Sequence, residues 1–245
     1  MAYSASATAG RRVVTAEFDY PAQFARRGLT GFSDDRIPCF DVADSAGKPV
    51  AYQMHRYIAP EEYQGLPPWN GEPGRKERVK ISFEAKLGGI GAYNFSITSR
   101  RKPWRDMGTQ LTGAARIENR YLAVQAEDNG TITVTNKADG RTYAGLCVFE
   151  DTGEMGDGWY HIKPVDNQTF LSTGFDTGVS VVEDGSFVST LRIEKTLMLP
   201  AELDWSVLRR KEERKPLKIV LDVTLRNDEP FAECSAVVDN NIKDH

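Results

Sequence analysis

The stretch Ile117–His161, I-E-N-R-Y-L-A-V-Q-A-E-D-N-G-T-I-T-V-T-N-K-A-D-G-R-T-Y-A-G-L-C-V-F-E-D-T-G-E-M-G-D-G-W-Y-H, decides the fold class. Leu122, Val124 and Ala126 alternate with Tyr121, Ala123 and Gln125, the period of two that a half-buried strand requires. Asp128-Asn129-Gly130 follows, and Asn-Gly supplies the positive φ angles of a tight hairpin turn. A second strand from Thr131 to Thr135 then puts Ile132 and Val134 on one face and three threonines on the other. The chain turns again at Ala138-Asp139-Gly140 and runs through Leu146-Cys147-Val148-Phe149 into an acidic, glycine-rich loop that ends in Trp159-Tyr160-His161. The strands read as scaffold and the loop Glu150–His161 as a segment that faces a ligand.

Working outward, the same alternation recurs. On the N-terminal side Val13 to Phe18 predicts a short strand, and Asp41 to Val50 predicts strand, turn and strand with Gly47 at the bend. Residues 59–78 are loaded with Pro, Gly and charge and predict a long loop. Val79 to Ala85 and Tyr93 to Thr98 return to alternation around Gly88-Gly89. Residues 99–116 are basic and contain breakers, which predicts a link into a second unit.

On the C-terminal side, Val179 to Glu183 and Phe187 to Leu199 flank the hairpin signal Asp184-Gly185, with Phe187, Leu191, Ile193, Leu197 and Leu199 on one face by parity. Leu203, Val207 and Leu208 fall near helical spacing, so residues 200–215 read as a short helix or a solvated connection. Leu217, Ile219, Leu221, Val223 and Leu225 alternate most clearly of all, and Asp228-Glu229-Pro230 turns that strand into another from Phe231 to Val238. The expectation is an all-β fold: a flexible tail over 1–10, a small β domain over 11–98, a linker over 99–116, and a large antiparallel β-sandwich over 117–245.

Composition narrows the function. The 245 residues are 40% hydrophobic and 27% charged, an ordinary balance for a folded domain. A formal net charge of -4 gives no reason to expect nucleic acid or an anionic membrane as partner, and no apolar run approaches the ~20 residues of a membrane span. Residues 1–10 lack the basic and then apolar regions of a signal peptide. Cys39, Cys147 and Cys234 lie far apart with no C-x-x-C pair and, inside strand-like segments, read as buried free thiols in a reducing compartment, so a cytoplasmic location is expected.

The order E-N-R-Y-L-A-V, D-N-G-T-I-T-V-T-N-K-A-D-G-R-T-Y-A-G-L and F-E-D-T-G-E-M-G-D-G resembles the C-terminal β-sandwich of glycoside hydrolase family 38 α-mannosidases. There a strand beginning E-N-x-x-L leads to a D-G-T-L-T-V-x-D-K-x-T-G-R-x-Y hairpin and a G-D-x-G-D loop. Asn136 and Ala138 stand where Asp and Thr are commoner, and Glu154 replaces the first Asp of the loop pattern. Asp44 to Gln53 resembles the family's D-x-x-G-x-x-V-P-x-Q stretch, and the final V-D-N-N-I-K-D-H resembles V-D-N-x-x-K-D-H-R-L-R. The resemblance implies a galactose-mutarotase-like large sandwich, incomplete at its C-terminal end, preceded by a small β domain. It implies a fragment whose own N-terminal catalytic domain, with its zinc ion and carboxylate pair, lies outside these residues. It also implies an α-mannoside as the substrate of the whole enzyme.

Within the chain, retaining glycosidase chemistry finds no footing. It needs two carboxylates about 5–5.5 Å apart. His55, His161 and His245 are scattered without metal-ligand spacing, and no G-x-S-x-G, phosphate-loop or dinucleotide fingerprint occurs. No catalytic residue, metal ligand or cofactor is therefore expected here. Glu154, Asp157, Trp159, Tyr160 and His161 are the candidates for the rim of a sugar site: carboxylates accept hydrogen bonds from hydroxyls, and aromatic rings stack on pyranose faces. The competing reading of the loop is a solvated acidic segment whose Trp159 plugs the sandwich edge; calcium is disfavoured by the spacing of Asp151, Glu154 and Asp157. Tyr63 and Trp69 read as pins of their loop, and the basic cluster Arg100, Arg101, Lys102 and Arg105 around Trp104 as a solvated face. For the chain as a whole, the alternative function is a stand-alone carbohydrate-binding or structural β-sandwich. Self-association at the strand following Pro230, and with it a homo-oligomer, is also expected.

Overall fold

The computed structural model describes residues 2–4, 8–21, 26–27, 36–37, 39–55, 76–100, 106–166 and 168–245. The fold is all-β and its strand pairs are antiparallel. The chain divides into two compact units, Met1–Gln110 with Gly185–Val188 and Arg226–Glu229, and Leu111–Asp184 with Ser189–Leu225 and Pro230–His245. Tyr63, Trp69, Arg101, Lys102, Trp104 and Arg105 lie outside the described residues.

In the first unit the long strands Gly10–Pro21 and Lys76–Leu87 pair over their full length, and Tyr52–Met54 adds to the far side of Lys76–Leu87. A second sheet has the order Phe95–Ser99, Phe40–Asp44, Pro49–Val50. Asp44 Oδ1 accepts from the backbone N–H groups of Ala46 and Lys48, and Gly47 at φ 76° closes that turn. Within the stretch expected to be a flexible tail, Ala2–Ser4 pairs with Gly91–Tyr93. Alternate residues Val79, Ile81, Phe83 and Ala85 turn inward onto Phe40, Val42 and Tyr52, and the Phe40 ring stacks on Tyr52 at 4.8 Å. The Tyr52 hydroxyl donates to the Phe40 carbonyl at 2.7 Å, so the buried phenol is satisfied.

Gln53, the last residue of the D-x-x-G-x-x-V-P-x-Q-like stretch, is also buried. Its Oε1 accepts from the Phe187 and Val188 N–H groups at 3.0 and 2.9 Å while its Nε2 donates to the Val188 carbonyl at 2.8 Å. A side chain at Gly185 would run into it, the ideal Cβ lying 2.2 Å from Gln53 Cδ. Asp106 holds the same turn through Ser186 N and Oγ, both at 2.9 Å.

The second unit is the sandwich. One sheet is a five-stranded meander, Leu111–Gly113, Arg116–Glu118, Leu122–Ala126, Ile132–Asn136 and Thr142–Leu146. The other has the order Asp176–Glu183, Val188–Pro200, Arg214–Arg226, Ala232–Asp239. Ile117, Leu122, Val124, Ala126 and Ile132 of the first sheet meet Leu191, Ile193, Leu221, Val223 and Leu225 of the second in one core. Leu197, Leu199, Leu217, Ile219 and Ile242 form an adjoining cluster with Phe149, Phe170 and Phe175. The inward residues of Arg214–Arg226 are at most 4% exposed, so alternation alone identified the core face.

Local chemistry fixes the turns. Asn119 Oδ1 accepts from the N–H groups of Tyr121 and Leu122, both at 2.8 Å, which is the work of the Asn in the E-N-x-x-L pattern. Gly130 sits at φ 73°, and its N–H bonds the Glu127 carbonyl at 2.8 Å. Lys195, only 2% exposed, donates to the Asn129 carbonyl at 3.0 Å, so a buried ammonium is matched to the hairpin turn.

Residues 203–210 are not a helix. Leu203–Asp204 pairs with Arg209–Arg210 in a small hairpin, Asp204 Oδ1 captures Ser206 N and Oγ at 2.9 and 2.6 Å, and Leu208 takes φ 55°. A positive φ at a leucine ends any right-handed helix.

Candidate functional site

Three segments of the second unit converge: the loop 150–166, the hairpin 203–210 and the C-terminal residues 240–245. Glu154 N donates to the Asp244 carbonyl at 3.0 Å, Leu203 N to Asp244 Oδ2 at 3.1 Å, and Val165 N to the Leu208 carbonyl at 2.9 Å. Beneath the loop, Arg210 and Asp151 form an ion pair with side chains 1% and 7% exposed and Nη1 to Oδ2 at 2.6 Å. The other oxygen of Asp151 accepts from His245 Nδ1. Burial by itself would raise the Asp151 pKa, but the hydrogen bonds from His245 and Arg210 outweigh it and hold the carboxyl below its usual range. Arg210 also lies 5.4 Å from the centre of the Phe170 ring.

The predicted residues divide into two groups. Glu154 turns into its own loop: Oε1 accepts from Gly156 N at 2.5 Å and Ile162 N at 2.9 Å, and Oε2 meets His161 Nδ1. Those backbone N–H groups, with His161, lower its pKa to about 2. Asp157 Oδ1 accepts from Trp159 N at 2.8 Å and Tyr160 N at 3.1 Å, an Asx turn that sets the aromatic pair. Trp159 and Tyr160 project outward, 88% and 72% exposed. The carboxylates thus shape the loop and the aromatic rings face solvent. Trp159 does not plug the sandwich edge.

The structure also exposes Ile162 and Val165 of the loop, and Trp205, Val207 and Leu208 of the hairpin that bonds to it. Sequence reasoning missed Trp205, Arg210 and His245 as members of this region. Trp205 inside D-W-S was the available signal, a large aromatic beside residues that favour turns. Among the described residues no group of three or more His, Cys, Asp or Glu side chains is placed to hold a metal ion. Nor is any helix of the described residues long and apolar enough to cross a membrane.

The chain is all-β, and its two-sheet sandwich carries an acidic loop tipped by two exposed aromatic residues. Two solved structures share this fold over nearly the whole chain. One is a protein of glycosyl hydrolase family 38 from Enterococcus faecalis, with TM-score 0.74 and 20% identity, covering 98% of this chain and 31% of that one. The other is an alpha-mannosidase from Enterococcus faecalis V583, with TM-score 0.73 and 20% identity, covering 99% of this chain and 30% of that one. Among curated proteins, the "Putative mannosylglycerate hydrolase" of Halalkalibacterium halodurans is 24% identical over 143 residues, 53% of this chain and 16% of that protein. No protein-family profile matches the sequence. The chain therefore spans under a third of the solved chains it matches and about a sixth of the curated relative.

Proposed function

We propose that this chain is the β portion of a family 38-type glycoside hydrolase, a retaining α-mannosidase in its whole form, and that the loop Glu150–His161 rims the substrate site without performing the chemistry. Residues 11–98 serve as its small β domain and 117–245 as part of its large sandwich. The similarity of fold to two family 38 structures supports the family, and the sequence motifs run in the same direction. The observation that carries the role is the division of labour in the loop, with Trp159 and Tyr160 outward and the carboxylates of Asp151, Glu154 and Asp157 each hydrogen-bonded within the protein.

A general acid needs a pKa raised toward the working pH. Glu154 and Asp151 are shifted downward, and Asp157 is occupied by two backbone N–H groups. Neither Glu154 nor Asp151 is poised as a general acid. For the zinc implied for the whole enzyme, no group of three or more His, Cys, Asp or Glu side chains among the described residues offers a ligand set. The three cysteines are free thiols, which suits a reducing, cytoplasmic setting, but of the three expected to be buried Cys39 alone is; Cys147 is half-buried and Cys234 exposed.

The test is kinetic. In an enzyme that carries this chain together with its catalytic part, Trp159→Ala should raise KM for an α-mannoside with little change in kcat, as loss of uniform binding does. The 245-residue chain alone should not turn over an aryl α-mannoside. Turnover by the chain alone, or unchanged kinetics in Trp159→Ala and Tyr160→Ala, overturns the assignment. The exposed rings of Trp159, Tyr160 and Trp205 also favour a second reading, a binding module that acts by itself. Saturable binding of methyl α-mannoside by the isolated chain, lost in Trp159→Ala, would select that reading.

A further inference from the structure

Cys147 and Cys234 are far apart in sequence, yet their side chains meet and share a hydrogen bond in the second unit. Cys147 directly follows Thr142–Leu146, the last strand of the five-stranded meander, and Cys234 lies on Ala232–Asp239, the last strand of the opposing sheet. The register sets Cys234 opposite Val223, so its side chain points to the same face as that fully buried residue. Cys147 packs against the same core, of which Val223 is a member. Strand register on one side and core packing on the other thus bring both sulfurs to the margin of the sandwich where each sheet ends. Cys147 is held there at φ 62°, a conformation few residues other than glycine adopt. Sulfur atoms already in contact have only to close to the ~2 Å of a disulfide bond.

The two thiols differ in reactivity. Cys234 is exposed along the open edge of its strand, but its sulfur lies against Cys147 on the core side. Burial there, followed by the adjacent Cys147 and then Glu233, pushes this thiol up to about 11, so at neutral pH it stays protonated and is a weak nucleophile. A thiolate at Cys147 is attracted by the buried ammonium of Lys195. Cys147 is therefore the attacking sulfur and Cys234 the resolving one.

We propose that Cys147 and Cys234 form a reversible redox site, oxidised by a small-molecule disulfide of the glutathione class to an internal disulfide that latches the two sheets together. The Cys147 thiolate attacks one sulfur of the small disulfide, which breaks its S–S bond and releases one thiolate. Cys234 then attacks the Cys147 sulfur of the mixed disulfide, forming the Cys147–Cys234 bond and releasing the second thiolate. The protein gives up two electrons and two protons, and the small disulfide takes them and leaves as two thiols. A pair that cycles in this way fits a reducing setting, where disulfides are transient and redox-sensing. The inference does not depend on the mannoside reading.

The experiment incubates the reduced, folded 245-residue chain with oxidised glutathione and follows intact mass, linked peptides and melting temperature. The mass should fall by two hydrogens with no glutathione retained, and a peptide pair should join Cys147 to Cys234. The melting temperature should rise by about 5 °C, because the link closes a long loop. Dithiothreitol should reverse all three changes. Cys234→Ser should stop at a glutathione adduct on Cys147, and Cys147→Ser should react at least about tenfold more slowly than the parent. If either variant does not fold, the parent chain decides alone. The proposal is overturned by a parent chain that stays reduced, that retains glutathione on either cysteine, or that links between chains instead of within one. A linked form that melts no higher than the reduced form overturns it as well.

Discussion

Asp151 and Arg210, 59 residues apart in sequence, are joined at 2.6 Å with both side chains more than nine-tenths hidden, and the loop that carries Trp159 and Tyr160 is built over them. Removing one member strands a buried charge. Asp151→Asn or Arg210→Met should each cost about 3–5 kcal/mol of stability. Asp151→Asn with Arg210→Met should cost markedly less than the sum, since neither buried charge is then left facing an absent partner. Denaturant midpoints for the two single variants and the pair measure the coupling, and strict additivity would contradict it.

Gly130 and Gly140 make an internal comparison. Both hold positive φ, 73° and 70°, but a Cβ at Gly140 meets open space whereas one at Gly130 falls 2.4 Å from Lys195 Nζ and 2.7 Å from Thr177 Cγ2. Gly140→Ala should therefore cost only backbone strain, about 1 kcal/mol. Gly130→Ala adds the displacement of a buried lysine from the Asn129 carbonyl and should cost at least about 1 kcal/mol more. Equal destabilisation by the two substitutions would show that Lys195 yields freely.

His55 makes the first unit sensitive to acid. Its Nε2 lies 2.7 Å from Ser82 Oγ, and burial, followed by the charges of Lys80 and Arg226, lowers its pKa from 6.5 to about 4. The unfolded chain therefore binds a proton between pH 6.5 and about 4 that the folded chain refuses, and stability falls as pH drops through that window. The loss amounts to roughly 3 kcal/mol by the lower end. His55→Gln should flatten this limb of a stability–pH curve, and an unchanged slope would assign the limb to other groups.

The strand Ala232–Asp239 ends its sheet and is exposed from Glu233 onward, with Val237 65% exposed. Its register sets Cys234, Ala236 and Val238 opposite Val223, Leu221 and Ile219, so apolar residues of the core face continue to an open edge. Such an edge offers unpaired backbone groups to another strand. Light scattering should show mass rising above the monomer with concentration, and Val237→Lys should reduce that rise while leaving the melting temperature nearly unchanged. Monomeric behaviour of the parent chain at high concentration would refute it.

What the sequence determined by itself is the β-class, the strands and the turns between them. Alternation at Leu217, Ile219, Leu221, Val223 and Leu225 names a core face because side-chain direction repeats every two residues along a strand. Asn119, Gly47, Gly130 and Gly140 name turns because their conformational and hydrogen-bonding preferences act within a few residues. The loop Glu150–His161 was legible as a loop, and its aromatic tip as a tip. Only the tertiary structure decided that Leu203, Val207 and Leu208 belong to a hairpin, since helical spacing does not register the Asp204 turn or the positive φ at Leu208. Only the tertiary structure decided that Glu154 and Asp157 turn back onto the backbone of their own loop, and that Arg210 and His245 meet Asp151 across 59 and 94 residues. The physical reason is burial. Whether a charged side chain is solvated or hidden depends on which distant segments cover it, and no local period records that.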